Sequence, residues 1–106
     1  MLDAQLLVLD LIRTLRPLVD DLATRAPDLA DQVRRAATST ALNLAEGVRR
    51  SGRDKKRAYR IAAAEAHEVR AALDVALAWG LVAAPATAPA QALADRLGRV
   101  TFALAR

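Results

Sequence analysis

Apolar residues recur at alternating spacings of four and three along the first stretch of the chain: Val8, Ile12, Leu15, Val19 and Leu22, flanked by Leu7, Leu11 and Leu18. Asp3, Asp10, Arg13, Arg16 and Asp20 fall on the opposite side. The pattern predicts an amphipathic helix over about residues 2–24 with a broad buried face. Pro17 removes one backbone donor and crowds the carbonyl four residues back, so either a kink or two shorter helices is expected. The apolar stripe keeps phase across it, which favours the kink.

Ala26-Pro27-Asp28 reads as a break and a new start, with proline tolerated in a first turn and Asp28 and Asp31 near the positive end of the helix dipole. A second helix is predicted over about 27–50, with Leu29, Val33, Ala36/Ala37, Thr40, Leu44 and Val48 as its core row. Gly47, in the last turns, costs about 1 kcal/mol relative to alanine and marks close contact or an early end. Ser51-Gly52-Arg53-Asp54 predicts a turn, then an N-cap at Asp54 and a third helix over about 55–79. Its inward row is Ala58, Ala62, Ala66, Val69, Leu73 and Ala76; Ile61, Glu65, Glu68, Ala72, Val75 and Trp79 form the row beside it. Residues 83–89 read as a short proline-containing loop, Thr87 as a cap, and 88–105 as a fourth helix with Leu93, Leu97, Val100 and Leu104 inward. With no strand pattern, the fold class is all-α: one domain, residues 1–106, folded as an antiparallel up-down-up-down four-helix bundle.

Composition sharpens this picture. Hydrophobic residues make up 54% of the 106 but aromatics only 3%. Alanine buries little area, so the core is thin and burial between subunits is a natural supplement. The absence of cysteine excludes disulfides and thiolate metal sites and is compatible with a reducing compartment. The first apolar run is broken by Asp3, Asp10 and Arg13, unlike a signal peptide, and no uncharged run reaches the roughly 18 residues of a membrane span. A soluble cytoplasmic protein is expected.

Charge is distributed unevenly. Between Arg49 and Arg60 stand seven basic residues, Arg49, Arg50, Arg53, Lys55, Lys56, Arg57 and Arg60, against one acid, Asp54. That segment carries a net +6, while the other residues hold nine basic and eleven acidic groups. Guanidinium groups clustered at one corner can fork onto phosphate oxygens, and such a patch binds polyanions chiefly by counterion release. The competing reading is a solvated, solubilising turn. Tyr59, the one aromatic residue in the segment, could stack on a base or pack at the helix edge.

Other chemistry finds little support. Glu46, Glu65 and Glu68 with His67 invite comparison with bundle metal sites, yet the inward Glu-x-x-His pattern is absent and adjacent helical residues do not face the same way. Glu46 and Glu68 are expected instead to pair with Asn43, Arg50 or Arg60 where the second and third helices meet. Neither a nucleophile with its base nor a glycine-rich phosphate loop is present, so no enzyme, metal or cofactor is expected.

The run from Arg34 to Gly80 resembles the central block of the 23S ribosomal RNA intervening-sequence protein family, whose pattern centres on Asn-Ile-Ala-Glu-Gly. Here that element is Asn43-Leu44-Ala45-Glu46-Gly47, followed by the basic turn, Tyr59-Arg60-Ile61-Ala62 and Glu68-Val69. Departures are Glu65, where small residues are usual, and Arg70, where an acid is common. The resemblance implies a non-catalytic bundle assembled into a ring, typically a homopentamer. The same superfamily is similar to the accessory variability determinant of diversity-generating retroelements, which binds nucleic acid and a reverse transcriptase. On that likeness Asn43, Glu46, Gly47 and Glu68 are the structural signature, and Arg49, Arg50, Arg53, Lys55, Lys56 and Arg57 supply a surface for RNA or RNA-DNA. The alternatives are a module that docks a reverse transcriptase or another acidic protein, and a purely structural bundle.

Overall fold

The computed structural model describes all 106 residues as four helices: α1 (Asp3–Arg25), α2 (Pro27–Arg49), α3 (Gly52–Ala78) and α4 (Ala84–Leu104). α1 packs on α2 and α4, α3 packs on the same two, and neither diagonal pair touches. The result is a square up-down-up-down bundle measuring 43 × 22 × 20 Å. A 27-residue helix such as α3 spans about 40 Å, so the helices run nearly the full length of the rod. No helix is long and apolar enough to cross a membrane.

Connections are short, and each has a local cause. Gln5 accepts a hydrogen bond from the Leu2 amide at 2.8 Å, reaching back from the first turn of α1. α1 runs unbroken through Pro17, so the two-helix alternative is excluded. A single residue, Ala26, separates α1 from α2; the proline after it disfavours helical geometry there, and its φ/ψ of −144/75 is non-helical. Arg50 and Ser51 are extended, and Gly52 opens α3 at φ +58, a left-handed value that suits glycine. α3 ends in a Schellman pattern: Leu81 N–H bonds to the Ala76 carbonyl and Gly80 N–H to that of Leu77, both at 2.9 Å, with Gly80 at φ +71.

The core follows the sequence reading for α1 and α3: Val8, Leu11, Leu15, Val19 and Leu22 are buried on one, and the row Ala58, Ala62, Ala66, Val69, Leu73 and Ala76 on the other. Four expectations fail. Asp54 is not the cap of α3; the helix begins at Gly52, three residues before its expected start at Lys55, with Ser51 at the N-cap position making no side-chain bond. Val48 is exposed and Gly47 is buried in its place. α4 starts at Ala84 rather than 88, because Pro85 falls in the first turn, where no helical donor is lost, and Pro89 forfeits only one bond near the start. Its inward row is also rotated, to Thr87, Ala90, Ala94, Leu97, Gly98 and Thr101, leaving Leu93, Val100 and Leu104 half-buried at the edge. Small residues on this face let the helices pack closely, and Gly98 faces His67, whose ring an added Cβ would meet at an ordinary contact distance of 3.4 Å. Thr40, Thr87 and Thr101 are buried without penalty, each donating its hydroxyl to the carbonyl one turn back at 2.7–2.8 Å.

Candidate nucleic-acid interface

The α2–α3 turn places the basic segment at one end of the rod. Arg49, Arg50, Arg53, Lys56, Arg57 and Arg60 are exposed and Lys55 is half-buried. Among the seven, Arg50 alone has a carboxylate partner within 4.0 Å, forming an i, i+4 pair with Glu46; the other six cations have none. Lys55 lies over the Tyr59 ring, 5.5 Å from its centroid. A dense group of unneutralised charges is repulsive to itself and attractive to a polyanion.

Tyr59 is not available to stack on a base. It is 4% exposed, and its ring covers the backbone of Gly47, where an added Cβ would fall 2.4 Å from Cε1. Gly47 is therefore a close-contact glycine, and the two residues join α2 to α3 directly behind the charged turn.

The basic residues divide between two sides of α3. Arg57 joins Asn43, Glu46, Arg50, Asp54 and Ile61 around a cleft of about 270 Å³ between α2 and α3. Arg60 faces the other way, lining a hollow of about 540 Å³ with His67, Phe102 and Arg106 against α4. Arg106 lies over the Phe102 ring at 5.8 Å. It extends the positive field, and reading the basic run alone missed it; the signal was topological, because an up-down bundle returns the end of its fourth helix to the second turn.

The acidic signature residues do not come together. Glu46 pairs with Arg50 as expected, but Glu68 accepts a hydrogen bond from Gln32 at 3.1 Å, not from Asn43 or Arg60. The Asn43 amide turns back along its own helix to the Ser39 carbonyl at 2.9 Å and hydroxyl at 3.2 Å, one turn of α2 being nearer than any group on α3. Arg60 has no acid within reach because its side of α3 faces α4. Burial, then the charge of Glu68 and a hydrogen bond shared with it, hold the Glu65 carboxyl above its ordinary value of 4.5. His67 points to Gly98 on α4, and no three potential metal ligands converge.

One further polar cluster ties α3 to α4. Arg70 bonds Asp74 on its own helix at 3.0 Å and Asp95 on α4, while Gln91 reaches Asp74 at 2.9 Å. The Asp74 bond, and after it Asp95, raise the Arg70 pKa against the opposing effect of burial.

The pattern that defines the 23S rRNA-intervening sequence proteins matches residues 4–103, almost the whole chain. The chain belongs to that family. A solved structure of a protein of unknown function from the S23 ribosomal protein family of Bacteroides thetaiotaomicron VPI-5482 superposes with a TM-score of 0.86, covering 97% of this chain and 98% of that one. At 17% identity that likeness is one of fold. No curated protein matches the sequence. In this family member the signature element divides its work: Leu44 fills the core, Gly47 admits Tyr59, and Asn43 and Glu46 face the cleft beside the basic turn.

Proposed function

We propose that this family member is a non-enzymatic, homo-oligomeric bundle that binds structured RNA through the phosphate backbone at its basic end. One observation carries the reading: six exposed or half-buried cations, from the end of α2 through the turn to the first turns of α3, have no acidic partner, although carboxylates are plentiful elsewhere on the chain. Cations that only solubilise a surface gain from being interspersed with acids; the seven of this segment have a single acid, Asp54, among them. The family's description, which names 23S rRNA, makes RNA the first ligand to test.

Self-association has its own support. Trp79 is 77% exposed, Leu42 65% and Phe102 60%, and they lie on three different helices or their ends, so apolar surface is left on more than one side of the bundle. Apolar surface on unlike sides of one protomer suits a closed ring, for which the resemblance implies five copies, and a ring multiplies one modest basic patch by symmetry. The test is binding of a fluorescent structured RNA to the wild type and to Arg53→Glu/Lys56→Glu/Arg57→Glu, with oligomer mass measured in the same buffer. The triple variant is expected to keep its mass and lose binding. Retained binding contradicts the reading, and a wild type that assembles but binds no RNA at low salt points to a protein partner instead.

A further inference from the structure

The cleft between α2 and α3 combines features that a bare phosphate-binding patch does not require. Its rim carries the guanidinium groups of Arg50 and Arg57, while Asn43 and Glu46 lie deeper on α2 and Ala58 and Ile61 supply an apolar wall on α3. Glu46 is held in place by Arg50, which uses one carboxylate oxygen and leaves the other free. Both bonds of the Asn43 side chain are donated by its amide, so its carbonyl oxygen is unpaired. The cleft thus offers hydrogen-bond acceptors on α2 and, on α3, the unpaired Arg57 guanidinium with the Asp54 carboxylate also in the lining.

We propose that this cleft binds one unpaired guanine nucleotide of an RNA, with Glu46 and Asn43 accepting from the base edge and Arg57 holding its phosphate. The proposal rests on the reading of the basic end as an RNA-binding surface and adds a base preference to it. Guanine presents N1–H and the 2-amino group side by side, two donors that the free Glu46 oxygen and the Asn43 carbonyl oxygen can accept one each. Adenine and cytosine each offer one amino group there and uracil one N–H. A peptide cation would satisfy the same acceptors but is disfavoured by the net positive charge of the surrounding turn. At about 270 Å³ the open cleft is just below the roughly 300–1,000 Å³ of ligand pockets, so it has room for one base, with the sugar and phosphate left outside. Ile61, 38% exposed, and the Arg57 plane can cover the base faces in place of an aromatic platform.

The experiment uses RNA hairpins identical except for one unpaired nucleotide, which is G, A, C, U or inosine, titrated with the full chain and with Glu46→Gln. Wild type is expected to bind the G hairpin about tenfold more tightly than the A, C or U hairpin. Inosine, lacking the 2-amino group, should lose part of that preference, a readout that involves no change in the protein. In Glu46→Gln, where the amide donates as well as accepts, the ratio of G to A affinity should fall below about twofold. The proposal is overturned if wild type binds all the hairpins within about twofold, which leaves backbone binding intact, or if Glu46→Gln keeps the preference. If wild type binds no hairpin at low salt, both this proposal and the reading beneath it fail.

Discussion

Gly47 shows how a single missing carbon sets the geometry of the basic end. With a Cβ placed 2.4 Å from the Tyr59 ring, Gly47→Ala must push the ring, and with it the start of α3, away from α2. The helix propensity of alanine would gain about 1 kcal/mol at this position, but overpacking costs about 1–3 kcal/mol, and the buried ring has nowhere to go. Urea unfolding is expected to show net destabilisation, and Gly47→Ala combined with Tyr59→Leu should lose less than the sum of the two single changes. The close contact was legible in the sequence as a glycine inside a helix; its partner was not, because Tyr59 stands among charges and only the packing angle of α2 on α3 turns it inward. Glu65 gives a second residue-scale test. Its pKa is raised above 4.5 in the folded state, so the folded protein binds that proton more tightly than the unfolded chain. Its ionised form therefore opposes folding above the folded-state pKa, and the opposition disappears as pH falls below 4.5. Glu65→Gln should raise Tm at pH 7 and lose that advantage in acid; a gain that persists unchanged at low pH would assign it to packing rather than charge.

Among the elements, α1 to α3 were legible because apolar residues, large on α1 and mostly alanine on α3, repeat at helical spacing, and Pro27 and Gly80 mark two of their ends; the start of α3 was not, because Gly52 reads as part of a turn. α4 was only partly legible. Its leucines suggested an inward face that the structure gives instead to Ala90, Ala94, Gly98 and Thr101, and Pro85 and Pro89 suggested a loop where a helix had already begun. In an alanine-rich bundle, how closely a helix can approach decides its rotation, and hydrophobicity ranked residue by residue does not show this. The α3–α4 contact also depends on Arg70, which bridges Asp74 and Asp95 from a partly buried position. Exposed pairs contribute about 0–1 kcal/mol, and a bridging arginine belongs at the upper end of that range. Arg70→Ala is expected to cost about 1 kcal/mol, with positive coupling to Asp95→Ala in a double-mutant cycle. Additive single effects would show that the bridge is incidental.

At the scale of the whole molecule, topology converts a local charge run into one end of a rod. The α2–α3 turn, Phe102 and Arg106 share that end, while Trp79 and the α1–α2 break occupy the other. The clustering of charge was legible in the sequence; the division of Arg57 and Arg60 between two faces of α3 was not, since it depends on which neighbouring helix each one faces. The most direct measurement is the salt dependence of structured-RNA affinity for the assembled wild-type protein. Backbone binding by unpaired cations predicts a steep linear fall of log affinity with log salt concentration, flattened in Arg53→Glu/Lys56→Glu/Arg57→Glu while oligomer mass is unchanged. An affinity indifferent to salt, or no binding at low salt by a protein that is folded and assembled, would contradict it.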